Sequence, residues 1–430
     1  MSIAGNLTII CSKLRERKSM GQADGSPCFG EDIRSTISLM KSVMGDILLS
    51  LGISPDNPRD VYKKLHIDKK LGWKIYNVVA EEDPFLAAQF VPGRAACRKF
   101  MKLCRKLGTG DDLLTKAGGA CSAFDRMVEK HANSRKEFDL MLMACSDKGK
   151  DKAYLSQQKA AFSAYSHLLG VQADTQLCTW VFAPSPDGKF HDVVSIRGFM
   201  DFRRNRPHVP WLLEWAYFTD DDDVPNSLVR VEPLEAPSPG SGDEVPFYSR
   251  FCSQPLPEVL SSRRLEGRVV HELREAPIGN TEAVTCITAQ KAGNVFSSCR
   301  TDQDRYREVL VRTRTPVERL IFDQVVHRDL AGPADPELFV FGEFTGYDWW
   351  KSAEHRNPGS LLPVDAEIQE LGRGTGKAGT PHIPWYTEML DDVFQKLDWP
   401  SNEFITYRVM IDYPVIPSTA IMRSLLPDRK

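Results

Sequence analysis

Apolar side chains recur at helical spacing through the first half of the chain. From Ile33 to Leu51 they fall every three or four residues, which predicts one long amphipathic helix that stops at Gly52. The same spacing appears in three later segments, residues 93–107, 120–145 and 152–169. We therefore predict a helical domain over residues 31–171. Before it we predict a flexible N-terminal arm over residues 1–30, whose end is rich in Gly, Ser, Asp and Pro.

The pattern changes near residue 172, where short β-branched and aromatic runs replace the helical spacing. These runs cover residues 178–183, 192–197, 211–218, 227–231, 268–273, 282–289, 308–314 and 338–344. Because most of them have no helical run between them, we predict a mainly antiparallel β domain rather than a doubly wound fold. A helix over residues 385–397 and a strand over 404–411 follow, and then Pro414 and Pro417 interrupt the pattern. The predicted fold class is α+β, with the β-rich domain over residues 172–430.

Two short helices are predicted inside the helical domain, over residues 60–79. A polar turn near His66 separates them, and Lys69, Lys70 and Lys74 lie on the front of the second helix. The apolar positions of this segment are Val61, Leu65, Ile67, Leu71 and Ile75. Their spacing suits two helices that pack face to face.

Residues 58–79 resemble the helix-turn-helix motif, whose second helix lies in the major groove of DNA. The family pattern has apolar residues at fixed places in both helices, a small residue at the helix crossing and a glycine in the turn. This chain matches the apolar places but departs from the pattern at three positions. Tyr62 takes the small place, His66 takes the place of the glycine, and Gly72 stands where an apolar residue normally packs.

The resemblance implies which side chains would contact DNA. The contacts expected near the bases are Lys69, Lys70, Lys74 and Asn77. A nearby basic helix, residues 93–107, supplies the contacts expected on phosphates, which are Arg98, Lys102 and Arg105. The alternative is a helical hairpin with a basic side that only faces solvent.

The distribution of charge agrees with either interpretation. The chain of 430 residues is long enough for two or three domains, and its net charge is only −3. Residues 1–150, however, carry 25 Lys and Arg against 18 Asp and Glu, whereas the other 280 residues carry 30 against 40. A basic domain that faces a polyanion, joined to an acidic domain, has such a distribution. Chance differences that serve only solubility are the alternative.

The sequence patterns for metal, nucleotide and nucleophile chemistry are incomplete. Ten cysteines occur without a C-x-x-C pair, and no two of the nine histidines are three or four residues apart. Residues 372–377 lack the first glycine and the final hydroxyl residue of a phosphate-binding loop. The acidic run at residues 220–223 lacks the alternating ligands of a calcium loop. We therefore predict no metal, no cofactor and no catalytic residue.

These observations lead to a predicted function and location. We expect no membrane span, because no apolar run approaches the length that crosses a bilayer, and no signal peptide, so we predict a cytoplasmic protein. The function expected is that of a transcription regulator that binds double-stranded DNA as a homodimer, with a C-terminal domain for oligomerisation or for sensing a small-molecule effector of unknown identity. A structural or assembly protein that forms homo-oligomers through its β-rich part is the second hypothesis. An enzyme with an unrecognised active site is the third.

Overall fold

The computed structural model describes residues 28–428 except 55–56, 146–149, 219–230, 236–244, 265–267, 275–277, 302–304 and 345–351. Three predicted features therefore lie wholly or mostly outside the described residues. They are the flexible arm over residues 1–30, the acidic run at 220–223 and the strand-like run at 227–231. Among the described residues, no helix combines the length and the apolar character that are needed to cross a bilayer.

The chain divides into two compact units, Met1–Tyr154 and Leu155–Lys430. The described part of unit 1 is helical, and unit 2 is mostly antiparallel β structure with a helix near its end, so the predicted α+β fold class is confirmed. The division falls inside a helix, Lys150–Leu169. The first strand begins just after that helix, at Val171, close to the predicted change of pattern at residue 172.

Unit 1 is built from amphipathic helices around two adjoining apolar cores. Its helices are α1 Phe29–Ser50, α2 Pro58–Lys64, α3 Lys69–Ala80, α4 Pro84–Phe90, α5 Arg94–Lys106, α6 Asp111–His131 and α7 Arg135–Cys145, and α8 is the dividing helix Lys150–Leu169. The apolar stripe predicted for the first helix is buried in α1, at Ile33, Ile37, Met40, Val43, Met44, Ile47 and Leu48. Helices α2, α3, α5 and α6 pack on the C-terminal half of α1.

The sequence pattern does not predict helix α4, because a proline at position 84 indicates only the end of the preceding helix. In the structure Pro84 is the first residue of α4, where its missing N–H leaves no helical hydrogen bond unmade. The carboxylate of Asp83 caps this helix by accepting a hydrogen bond from the backbone N–H of Phe85 at 2.8 Å. A proline that ends one helix can therefore begin the next.

Unit 2 contains one large sheet and two small ones in its described residues. Its strands are β1 Val171–Pro184, β2 Phe190–Arg204, β3 Trp211–Phe218, β4 Val231–Pro233, β5 Val259–Arg264, β6 Arg268–Leu273, β7 Val284–Ser297, β8 Tyr306–Thr313, β9 Val317–His327, β10 Glu337–Gly342, β11 Gln369–Arg373, β12 Phe404–Asp412 and β13 Ser418–Leu425. The large sheet has the order β11-β12-β9-β1-β2-β7-β4, and only its β1–β9 pair is parallel. The small sheets are β10-β13-β8 and β3-β6-β5, both antiparallel.

The large sheet is buried on both faces. Helix α9, Tyr386–Leu397, covers one face, and the side chains that meet there include Val181, Ile321, Tyr386 and Leu390. The β10-β13-β8 sheet covers the other face, and the side chains between the two sheets include Phe182, Phe322, Val311 and Met422. The described core of unit 2 is thus a β sandwich with a helix on its outer side.

The central strand β9 was missed in the sequence, because Asp323 and Gln324 interrupt its apolar run. Both side chains are fully buried; Arg408 of β12 and Tyr386 of α9 satisfy the carboxylate of Asp323, and Ser424 of β13 donates to the amide oxygen of Gln324. Strand β13 was missed because Pro414 and Pro417 were expected to end regular structure. The strand begins just after the second proline, where no ladder hydrogen bond is lost.

Candidate nucleic-acid interface

The predicted pair of short helices is present as α2 and α3, and the turn between them is well defined by backbone hydrogen bonds. The N–H of Ile67 donates to the carbonyl of Tyr62 at 3.1 Å, and the N–H of His66 donates to the carbonyl of Lys63 at 3.2 Å. His66 lies in the left-handed region, with φ of 51°. This is the Schellman arrangement that usually places glycine at that position, so His66 adopts the backbone conformation of the residue that it replaces.

Asp68 sets the beginning of α3. Its carboxylate accepts a hydrogen bond from the N–H of Leu71 at 2.8 Å, which satisfies one of the free donors of the first turn. That bond is the main cause that lowers the pKa of the Asp68 carboxyl, and the nearby ammonium of Lys99 adds to the effect. The Lys99 Nζ lies 3.6 Å from the second carboxylate oxygen of Asp68. Helix α5, which carries Lys99, therefore adjoins the N-terminus of α3.

Gly72 allows α3 to cross α2 at very short range. A Cβ atom at position 72 would lie 3.0 Å from the Cα of Tyr62 and closer still to its Cβ. The small residue of the crossing is therefore on the second helix, whereas the family pattern has it on the first. Two of the three departures compensate each other, because the glycine at 72 makes room for the tyrosine at 62.

One side of α3 carries the predicted contact residues. Lys69 and Lys70 are exposed, and Lys74 and Asn77 are half-buried farther along the same side. The opposite side is buried through Leu71, Gly72, Ile75 and Val78. The Asn77 Nδ2 donates to the backbone carbonyl of Trp73 at 2.7 Å, so the amide would have to leave its own helix to reach a base.

Trp73 belongs to the same surface and was overlooked in the sequence. It lies three residues after Lys70, which puts both on one side of a helix. Its side chain is 47% exposed and meets the ring of Phe90 edge to face, with 5.0 Å between the centroids. A large apolar ring among lysines suits contact with the flat or apolar parts of a nucleic acid.

The predicted phosphate contacts on α5 are all exposed. Among the described residues no carboxylate pairs with Arg98 or Lys102. The Arg105 Nε lies 3.3 Å from a carboxylate oxygen of Asp111, so part of its charge is balanced. The buried side of α5 packs through Phe100 and Cys104 into the core that also holds α3. The predicted basic contacts, with Trp73, are called the basic surface below; they are Lys69, Lys70 and Lys74 of α3 and Arg98, Lys102 and Arg105 of α5.

A second polar cluster lies in unit 2, between the large sheet and α9. Asp323 accepts hydrogen bonds from the Arg408 guanidinium, at 2.9 Å from Nε and 2.7 Å from Nη2, and from the hydroxyl of Tyr386. Thr179 and Tyr386 share a further bond of 2.9 Å, and Arg408 also donates to the carbonyl of Ala378. Every member is buried and partnered, so this cluster holds α9 on the sheet and leaves no group free for a substrate.

Comparison with known proteins adds no relative: no protein-family model, no curated protein and no solved structure matches this chain. Within the described residues, no group of three or more His, Cys, Asp or Glu side chains is placed to hold a metal ion. The basic surface of unit 1 is therefore the candidate that the geometry supports best.

Proposed function

We propose that this protein is a cytoplasmic DNA-binding transcriptional regulator whose helix α3 lies in the major groove. The observation that carries the proposal is the α2–α3 pair itself. Helix α3 is held on the core by the turn at His66, whose backbone is in the left-handed region, and by the close crossing at Gly72. Lys69, Lys70 and Trp73 are exposed on its outer side. A recognition helix needs both a rigid support and a free outer side.

In this proposal the two helices of the basic surface have different tasks. Lys69, Lys70 and Lys74 meet base edges and the phosphates beside them, and Trp73 meets the apolar parts of the groove. Arg98 and Lys102 of α5 contact the flanking phosphates and so fix the orientation of α3. The ion pair between Asp68 and Lys99 supports this arrangement, because it joins the two helices where α3 begins.

The second unit is assigned to oligomerisation or to the sensing of a small molecule. Regulators of this type bind two half-sites as symmetric dimers. Large apolar side chains are exposed on the part of α8 that belongs to unit 2, at Leu155, Tyr165 and Leu168, with exposed fractions of 43%, 38% and 66%. A second copy of the chain that packs along α8 would cover them.

Equilibrium binding of a labelled duplex of mixed sequence tests the proposal. Fluorescence anisotropy of the full chain is measured between about 50 and 200 mM salt, a range over which phosphate contacts weaken strongly. With up to six basic contacts per protomer, log K is expected to fall against log salt with a slope of about −3 to −5 for one bound protomer and about twice that for a bound dimer. Absence of salt-sensitive binding at the lowest salt would end the proposal.

Two further measurements define the regulator. Sequencing of the genomic fragments that the protein retains is expected to reveal a repeated half-site with two-fold symmetry. Sedimentation of the free protein is expected to show a dimer. A much larger particle would instead favour the assembly protein, whose polymer forms through the β-rich unit.

A further inference from the structure

Arg307 is a buried arginine at a core position of strand β8. Buried and half-buried residues alternate along this strand, and Arg307 lies on the same side as Val309 and Val311, which pack between the two sheets of the sandwich. Only 2% of Arg307 is exposed. Burial of a guanidinium cation at such a place is strongly unfavourable unless a partner balances its charge.

The described residues do not supply that partner. The Nη1 of Arg307 donates to the backbone carbonyl of Leu330 at 3.2 Å, and its Cζ lies 4.7 Å from the ring centroid of Phe182. Among the described residues, no acceptor meets its Nε and no carboxylate forms an ion pair with it. Burial lowers the pKa of Arg307 to about 10, so the side chain remains charged at neutral pH.

Two other buried arginines of unit 2, Arg408 and Arg423, are paired with carboxylates. Arg408 makes a two-pronged contact with the carboxylate of Asp323. Arg423 lies 3.5 Å from the carboxylate of Glu308 and also bonds that of Glu354. A sandwich that pairs these two cations with acidic side chains leaves the charge of Arg307 to be balanced by something else.

Two more buried polar side chains without partners lie around Arg307. The ring of His191 meets Phe182 at 5.9 Å, and neither of its nitrogens has a hydrogen-bond partner among the described residues. Burial, assisted by the charge of Arg307, lowers the pKa of His191 to about 3, so the imidazole is neutral and keeps one N–H donor.

Gln324 contributes the third group. Ser424 lies opposite Arg307 in the β13–β8 pairing, and its hydroxyl donates to the Gln324 Oε1 at 2.9 Å. The amide nitrogen of Gln324 is buried and has no acceptor among the described residues. The cross-strand pairing brings this amide near the backbone of Arg307, whereas His191 lies four residues farther along the sheet, beside the Phe182 ring that the Arg307 guanidinium contacts.

We propose that Arg307, His191 and Gln324 bind the carboxylate group of a small molecule between the two sheets. One guanidinium charge matches one carboxylate, and the Nε–Nη2 edge that Arg307 leaves open has the geometry for two parallel hydrogen bonds to its oxygens. Sulfate or doubly charged phosphate would place an excess negative charge in the same apolar surroundings. The inference goes beyond the proposed function, and its test needs no DNA.

Thermal unfolding of the full chain in sodium acetate, and in sodium chloride at equal ionic strength, tests the site. Acetate is expected to raise the Tm of the wild type in a saturable way, as a ligand that binds only the folded state does. Arg307→Met is expected to abolish the saturable rise and, without acetate, to be as stable as the wild type or more so, because a buried charge without a partner is removed.

Control variants separate this site from general salt effects. Arg250 is exposed and pairs with Glu388, so Arg250→Met should keep the acetate response. Arg307→Lys retains the charge but loses the two-pronged contact, and it should raise the apparent Kd of acetate at least about tenfold. Arg307→Lys also tests the acetate site if Arg307→Met does not fold. A wild-type Tm without a saturable rise, a rise shared by the Arg307 variants, or saturation by sulfate alone would overturn the proposal.

Discussion

Gly72 of α3 lies against the backbone of Tyr62 in α2, so close that a Cβ at position 72 would be 3.0 Å from the Tyr62 Cα. In most helix interiors, replacing glycine by alanine stabilises the helix by about 0.5–1 kcal/mol. Here we expect Gly72→Ala to lower the free energy of unfolding by about 1–3 kcal/mol, because the new methyl group forces the helices apart. Urea unfolding followed by circular dichroism measures the difference.

Gly119 in α6 provides the matched control for Gly72. A Cβ at position 119 would have no atom within 4 Å, so Gly119→Ala should stabilise the protein. Equal effects of the two substitutions would mean that the crossing of α2 and α3 is not as tight as described.

His66 carries a backbone strain that glycine would not have. Because its φ is 51°, we expect His66→Gly to leave stability unchanged or raise it by up to about 1 kcal/mol. His66→Val should lower stability by about 1–2 kcal/mol, because β-branched side chains avoid this region. The same unfolding assay compares the two variants, and a more stable valine variant would contradict the turn geometry.

Lys69 and Lys70 test the role of the basic surface. If both contact phosphates, the double variant Lys69→Gln/Lys70→Gln should weaken duplex binding and make the salt slope shallower by about 2 for each bound protomer. Lys116 on α6 lies 2.8 Å from Asp112, outside the basic surface, and Lys116→Gln should bind DNA like the wild type. An unchanged salt slope in the folded double variant would remove α3 from the interface.

Asp32 makes the stability of unit 1 depend on pH. Its carboxylate lies 2.7 Å from the Lys130 Nζ and 2.6 Å from the His131 Nε2, and these bonds lower its pKa below 3.8. The stabilisation is therefore complete above pH 3.8 and is lost as the pH falls through the lowered pKa. We expect Asp32→Asn to cost about 1–3 kcal/mol at neutral pH and much less near pH 2.

The exposed Asp46 on the same helix is the control for Asp32. Asp46→Asn should have little effect at either pH. A cost of Asp32→Asn that stays constant from neutral pH to pH 2 would show that the carboxylate charge is not what stabilises this contact.

The Asp323–Arg408 pair should show strong coupling in a double-mutant cycle. Arg408→Met leaves the fully buried carboxylate of Asp323 without its cation, and we expect a loss of about 3–5 kcal/mol. Adding Asp323→Leu should recover much of that loss, because the buried charge is then absent. Additive losses in urea unfolding would contradict the assignment of this pair as a buried ion pair.

Local patterns in the sequence determined the helices, and they determined that the first part of the chain is helical and the second part is rich in β strands. The stripe from Ile33 to Leu48 and the pair at α2 and α3 follow from spacing within one segment, which is why they could be predicted. Alternating and aromatic runs likewise indicated antiparallel strands. The same helical spacing predicts the exposed lysines of α3, and it places Trp73 on their side of the helix.

Only the tertiary structure decided the features that depend on distant partners. In the sequence, Asp323 interrupts the apolar pattern of a strand. In the folded protein its carboxylate is bonded by Arg408 of β12 and Tyr386 of α9. In the sequence, Gly72 is a departure from the motif. In the folded protein it is the position where Tyr62 packs against α3. In the sequence, nothing distinguishes Arg307 from an exposed arginine. In the folded protein it is buried between the two sheets of the sandwich. The sequence determines which segments can form helices or strands, because those preferences are local. Burial and partners are set by contacts between segments far apart in the chain, so the role of a charged or small residue emerges only from packing.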